Sequence, residues 1–114
     1  MREIDITAEC LEYIDAQEER VALKFFQLIE VIGEVKVVNT NFLKKIQSTK
    51  FYELRINAGN QYRIIIFAID HINFIECTKA VCLCGFLKKS NKDYRKAIKQ
   101  AEKLLEEYIN EQEL

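Results

Sequence analysis

The chain has no proline and only three glycines among its 114 residues. A flexible or Pro-rich linker between domains therefore has nothing to be built from, and one domain over residues 1–114 is expected. There is no glycine-rich loop to cradle phosphates and no nucleophile elbow. No apolar run approaches the roughly 20 residues needed to cross a bilayer, so no membrane association is expected. The first ten residues, MREIDITAEC, are polar and acidic and do not read as a secretion leader. A cytoplasmic protein is the expectation. There is a single histidine, His71, and it is not at ligand spacing from any cysteine, so no metal site and no cofactor are expected.

Cys10, Cys77, Cys82 and Cys84 are the cysteines. Only Cys82 and Cys84 are close in sequence. On a strand they point to the same face, among apolar neighbours, and buried free thiols are expected.

The charge is near zero in total but unevenly placed. Residues 1–35 carry −6, residues 36–99 carry +9 and residues 100–114 carry −4. A cationic middle between acidic ends can attract phosphates whatever the sum.

Apolar periodicity sets the elements. Met1–Ile6 alternates weakly and suits a short edge strand. Thr7 suits a helix N-cap, with Leu11 and Ile14 on the buried face that follows. Ala16–Ile32 fits a second helix through Val21, Phe25, Leu28, Ile29 and Ile32, with Gly33 as its stop. In the transitional stretch 37–48, Phe42, Leu43 and Ile46 suit a helical turn with Lys44 and Lys45 exposed. The period then becomes two. Phe51–Asn57 reads as a strand with Glu53, Arg55 and Asn57 on one side and Tyr52, Leu54 and Ile56 on the other. Ala58–Gln61 makes the turn, and Gln61–Ile69 is apolar enough for a central strand covered on both faces. Asp70-His71 opens another turn, Ile72–Lys79 fits strand or loop, and Ala80–Leu87 is a strand. Lys92–Ile109 is helical, with Ser90 or Asn91 as its cap and Tyr94, Ala97, Ile98, Ala101, Leu104, Leu105 and Tyr108 on one face. The fold class is α+β: an N-terminal helical hairpin, a small curved antiparallel sheet of three to four main strands, and a C-terminal helix.

What chemistry remains is cationic and aromatic. Arg55 and Arg63 lie on neighbouring strands. Lys88 and Lys89 end the last strand, and Lys92, Tyr94 and Arg95 follow. Hairpin geometry can bring these groups to one end of the sheet, which suits RNA: Arg and Lys neutralise phosphate and an aromatic ring stacks on a base. The same groups can cut RNA without a metal. A ribose 2′-hydroxyl attacks phosphorus, fixed cations hold the developing charge, and a proton acceptor and donor drawn from Glu53, a lysine or Tyr94 complete the reaction. Each of these groups can equally be a solvated charge or a packed ring, and His71 reads as an exposed turn residue.

The run Phe51-Tyr52-Glu53-Leu54-Arg55-Ile56, then Gly59, Tyr62-Arg63-Ile64, Gly85-Phe86-Leu87-Lys88-Lys89-Ser90 and the helix with Ala97 and Ala101 resembles the HigB-like branch of the RelE/ParE toxins. The likeness covers about residues 42–109 closely, and residues 7–33 only as a helical hairpin. It implies a RelE-like fold and the toxin of a type II toxin–antitoxin system. It implies a ribosome-dependent, metal-independent mRNA endonuclease, with the 70S ribosome, mRNA and a cognate antitoxin, often of helix-turn-helix type, as partners. A homo-oligomer stays open.

By the same resemblance Arg63 is the phosphate-binding arginine, Arg55 its neighbour, Lys88 and Lys89 the cations at the strand end, and Tyr94 the base-stacking ring. Lys44, Lys45, Lys92 and Arg95 complete the expected RNA contacts. Glu53 stands where RelE-type members often carry lysine. Two alternatives share the fold: a ParE-like gyrase inhibitor acting by protein binding, and a member that has lost catalysis.

Overall fold

A computed structural model describes residues 1–112. The last two residues of the expected 1–114 domain lie outside the described residues. The elements run β1 (Glu3–Ile6), α1 (Ala8–Asp15), α2 (Glu19–Glu34), β2 (Leu43–Lys45), β3 (Tyr52–Ala58), β4 (Asn60–Ala68), β5 (Lys79–Leu87) and α3 (Asn91–Gln112), with a 3-10 turn at Phe74–Glu76. The class is α+β, as the sequence predicts.

The five strands are ordered β1-β5-β4-β3-β2. β2 to β5 are antiparallel neighbours, and β1 joins β5 in parallel, so the sheet is mixed. β4 is central, and its alternation fills two cores. Tyr62, Ile64 and Ile66 join Val21, Phe25 and Ile32 of α2 and Cys10 and Ile14 of α1 on one side. Ile65, with Phe51 and Val81, packs under Ala97, Ala101, Leu104 and Leu105 of α3 on the other. A strand covered on both faces reads as a continuous apolar run, and β4 does.

Four local expectations are corrected. Leu11 of α1 is 37% exposed, while Cys10, four residues before Ile14, takes the buried position. α2 begins three residues later than expected at Glu19 and runs through Gly33 to Glu34. Gly33 does not stop the helix; its carbonyl accepts from the Arg2 amide at 2.7 Å. Residues 43–45 form an edge strand instead of a helical turn, because pairing with β3 satisfies their backbone. Cys82 and Cys84 do not share a face. A bulge at the Ile65/Ile66 step of the β4–β5 ladder skips Leu83, placing Cys82 in the α1–α2 core and Cys84 in the α3 core. The four cysteines are free and buried.

Arg2 ties the N-terminus down. It is 8% exposed, and its guanidinium donates to the carbonyls of Ile32 at 2.9 Å, Phe74 at 3.1 Å and Ile75 at 3.2 Å, and to those of Val35 and Lys36. It also lies 4.7 Å from the centroid of the Phe74 ring. A cation among the last carbonyls of α2 is favoured by the helix dipole. Among the described residues no helix is long and apolar enough to cross a membrane.

Candidate functional site

The β3–β4 hairpin turns at Gly59, whose φ of 81° lies in the left-handed region that glycine adopts without strain. The resulting register sets Arg55 directly opposite Arg63, and Arg63 in turn opposite Phe86 of β5. Directly opposed residues share a face. Glu53, two residues from Arg55, lies on that face, and so does Lys44, its cross-strand partner on β2. The α3-side face therefore carries cations from three strands over two adjacent cross-strand rows.

The two rows are largely sunk. Arg63 is 2% exposed and Glu53 4%. Arg63 is fixed by its own hairpin: Nη1 donates to Asn57 Oδ1 at 3.3 Å and to the Tyr62 carbonyl at 3.0 Å, and Nη2 to Gln61 Oε1 at 3.0 Å. Glu53 Oε1 lies 3.1 Å from Arg55 Nε and 3.7 Å from Arg63 Nε. The two ion pairs are close, but neither is aligned as a hydrogen bond. Both Nε groups are buried without a partner. Unsatisfied buried donors are rare in folded proteins and call for an explanation.

α3 closes the site from above. Asp93, in its first turn, accepts from the amides of Lys89 at 2.7 Å and Ser90 at 2.9 Å. These bonds, Lys89 first, hold the Asp93 carboxyl below its usual range. They fix the turn from β5 into α3 and so position Tyr94, whose ring meets Phe86 edge-on at 5.1 Å between centroids. The Lys88 ammonium lies 5.7 Å from the centre of the same ring. Burial raises the Tyr94 phenol above its ordinary value. The Glu53 carboxylate adds to the rise and the Arg63 guanidinium works against it. The phenol is thus held protonated beside a carboxylate and a guanidinium.

The structure brings together Arg55, Arg63, Glu53, Lys88 and Tyr94, with Lys44 at the rim. It does not gather every residue the sequence singles out. Lys45 pairs with Tyr52, on the other face from Glu53, and its ammonium donates to the Thr49 carbonyl. The Lys89 side chain is exposed, with its charge acting on Asp93. Lys92 and Arg95 are exposed on α3 and make no ion pair among the described residues. His71 is exposed at its turn, where Nδ1 accepts from the Asn73 amide at 2.9 Å. Sequence reasoning missed Gln61, Asn57 and Asp93 as the groups that hold the site. Asp93, three residues after Ser90, is the one with a readable signal, the acidic third position of a capped helix. Among the described residues no three His, Cys, Asp or Glu side chains gather in a metal-ligating group.

This arrangement can do two things. An anion that displaces the Glu53 carboxylate can be taken by the two arginines, with the Lys88 ammonium beside it. A carboxylate and a protonated phenol at the same spot form an acceptor and donor pair.

No curated protein matches the chain. The family model described as "Phage derived protein Gp49-like (DUF891)" matches residues 12–106. Among solved structures, the chain is similar to a double arginine-to-alanine mutant of the E. coli toxin RelE in the free state. The TM-score is 0.62 at 15% identity, covering 87% of this chain and 96% of that one.

Proposed function

Because the chain belongs to the phage-derived Gp49-like family and has the fold of RelE, we propose that it is the toxin of a toxin–antitoxin pair that cleaves mRNA on the ribosome. One observation carries this reading: two buried arginine Nε groups without hydrogen-bond partners converge on one side of the sheet, beneath an aromatic ring.

The proposed reaction needs only groups of the chain and of the RNA. Arg63 and Arg55 take the scissile phosphate through the open Nε–H donors, displacing their contact with Glu53, and Lys88 adds a third cation. The freed Glu53 carboxylate accepts the proton of the ribose 2′-hydroxyl. The 2′-oxygen bonds to phosphorus and the bond to the 5′-oxygen breaks, leaving a cyclic phosphate. The departing 5′-oxygen takes its proton from the Tyr94 phenol. Fixed cations around the phosphoryl oxygens are the larger part of such catalysis, because they need no reorganisation as charge builds. An antitoxin encoded alongside would silence the activity.

The test is inducible expression with mapping of mRNA 5′ ends. Growth arrest with new ends at codon-spaced positions in translated regions is expected, abolished by Arg63→Ala in a variant that keeps its circular dichroism. DNA damage without new mRNA ends would instead indicate a gyrase inhibitor.

A further inference from the structure

A cleft opens on the same side of the sheet as the arginine cluster, towards the other end of β4. Along β4, Phe67 follows Arg63 by four residues on the same face, about 13 Å of strand. Along α3, Ile98 and Glu102 follow Tyr94 by one and two turns. Between the two ends Ile65 is fully buried under α3, so the cleft, of about 920 Å³, is separate from the cluster; its lining includes Lys45, Lys50, Phe67, His71, Ile98 and Glu102.

The cleft has the composition of a nucleotide subsite. Lys45 and Lys50 supply two ammonium groups at the cleft's rim, neither in an ion pair among the described residues; that of Lys45, reaching round the sheet edge, donates to the Thr49 carbonyl. Glu102 is the single carboxylate in the lining, and Phe67 and Ile98 supply apolar surface. The loop that carries Lys50 is tied by its own hydrogen bonds. Ser48 is held at φ 63°, a left-handed conformation that costs a non-glycine residue about 1 kcal/mol. The Thr49 hydroxyl donates to the Ile46 carbonyl at 2.8 Å and accepts from the Phe51 amide at 3.1 Å. Strain kept in place by surrounding bonds, beside a charged cleft, fits a ligand platform.

We propose that this cleft is a second subsite for the same RNA strand. It takes a phosphate on Lys45 and Lys50 and a base against Phe67, about four stacked nucleotides from the phosphate on Arg63. The inference rests on the RNA-cleaving reading for the identity of the strand. An acidic peptide is the rival occupant. It matches the lysines but has less use for the apolar surface.

The test is fluorescence anisotropy with a labelled single-stranded trinucleotide and octanucleotide, across a salt series. The proteins are the unaltered chain, K45A/K50A and R63A. Both lysines are exposed, so the double variant is expected to keep its melting temperature. In that variant the octanucleotide is expected to bind about tenfold more weakly, with a salt slope smaller by about 1.4, while the trinucleotide is unaffected. Equal effects on both lengths, or none on the octanucleotide, would overturn the subsite. So would an octaglutamate peptide that binds more tightly than the octanucleotide and loses its binding in K45A/K50A. Trinucleotide binding that ignores R63A would sink the RNA reading itself. Arg63-dependent trinucleotide binding with an unchanged octanucleotide sinks only the subsite.

Discussion

Arg55 and Arg63 face each other directly across the β3–β4 ladder, two like charges kept on one face by a single carboxylate, Glu53. Opposed like charges destabilise a strand pair, so Glu53 is an internal counterion as well as the proposed base. Replacing it with Gln separates these roles. Glu53→Gln is expected to lose about 2–3 kcal/mol of stability in urea melts, since a buried pair loses one partner. It is expected to bind a trinucleotide several-fold more tightly and to cleave mRNA at least 100-fold more slowly. Weaker binding would mean that Glu53 does not compete with phosphate for the arginines.

Tyr94→Phe keeps the edge-on contact with Phe86 and removes only the phenol. Cleavage is expected to fall 100-fold or more, with RNA binding within about twofold and the melting temperature nearly unchanged. The raised phenol stays protonated through neutral pH, as the proposed donor must. A rate dependence on this group is expected only above about pH 10, where activity falls, and it should vanish in the Phe variant. Full activity in the Phe variant would assign the donor elsewhere.

Gly85→Ala tests how α1 is seated on the sheet. A Cβ on Gly85 would stand 2.2 Å from Tyr13 Cδ2 and 2.8 Å from Ile64 Cδ1. The Tyr13 ring packs against Gly85 where only a hydrogen fits. The neighbours are a ring and a core methyl, not flexible side-chain ends, so overpacking is expected to remove about 2–3 kcal/mol. Urea denaturation checks it. A loss under about 0.5 kcal/mol would show that α1 shifts freely.

The buried thiols predict alkaline weakness. Burial pushes Cys10 and Cys84 up to about 12 and Cys82 well above its ordinary value. The folded state keeps these protons while the unfolded chain releases them above about pH 8.5. Their stabilisation is therefore full below that pH and is lost as pH climbs towards the folded values. Moving from pH 7 to pH 9.5 is expected to lower stability by about 1 kcal/mol per thiol. Replacing Cys10 with Ser should reduce that dependence, and an unchanged pH profile would contradict it.

The helices and the two-faced central strand were legible because burial writes itself into periodicity: β4 is covered on both sides and reads as a nearly unbroken apolar run. That the two arginines lie on neighbouring strands was legible too, from alternation and a short turn, but their direct opposition depends on a turn one residue tighter than Ala58–Gln61. What escaped detection depends on pairing between distant segments. Leu43–Lys45 has no strand pattern of its own, and only the edge of β3 makes it one. The bulge that parts Cys82 from Cys84 comes from a mismatch between two strands, which neither strand announces. The parallel addition of β1 is invisible for the same reason, because its partner lies 76 residues away.

That distance has a consequence for synthesis. β1 leaves the ribosome well before β5, the strand it pairs with, which begins at Lys79, and Arg2 finds its last acceptors at Phe74 and Ile75. Phe86 and Lys88 arrive later still. A nascent chain therefore carries two arginines without the ring and lysine that complete their surroundings. The order of translation itself delays the assembly of this cluster until β5 and the start of α3 have emerged.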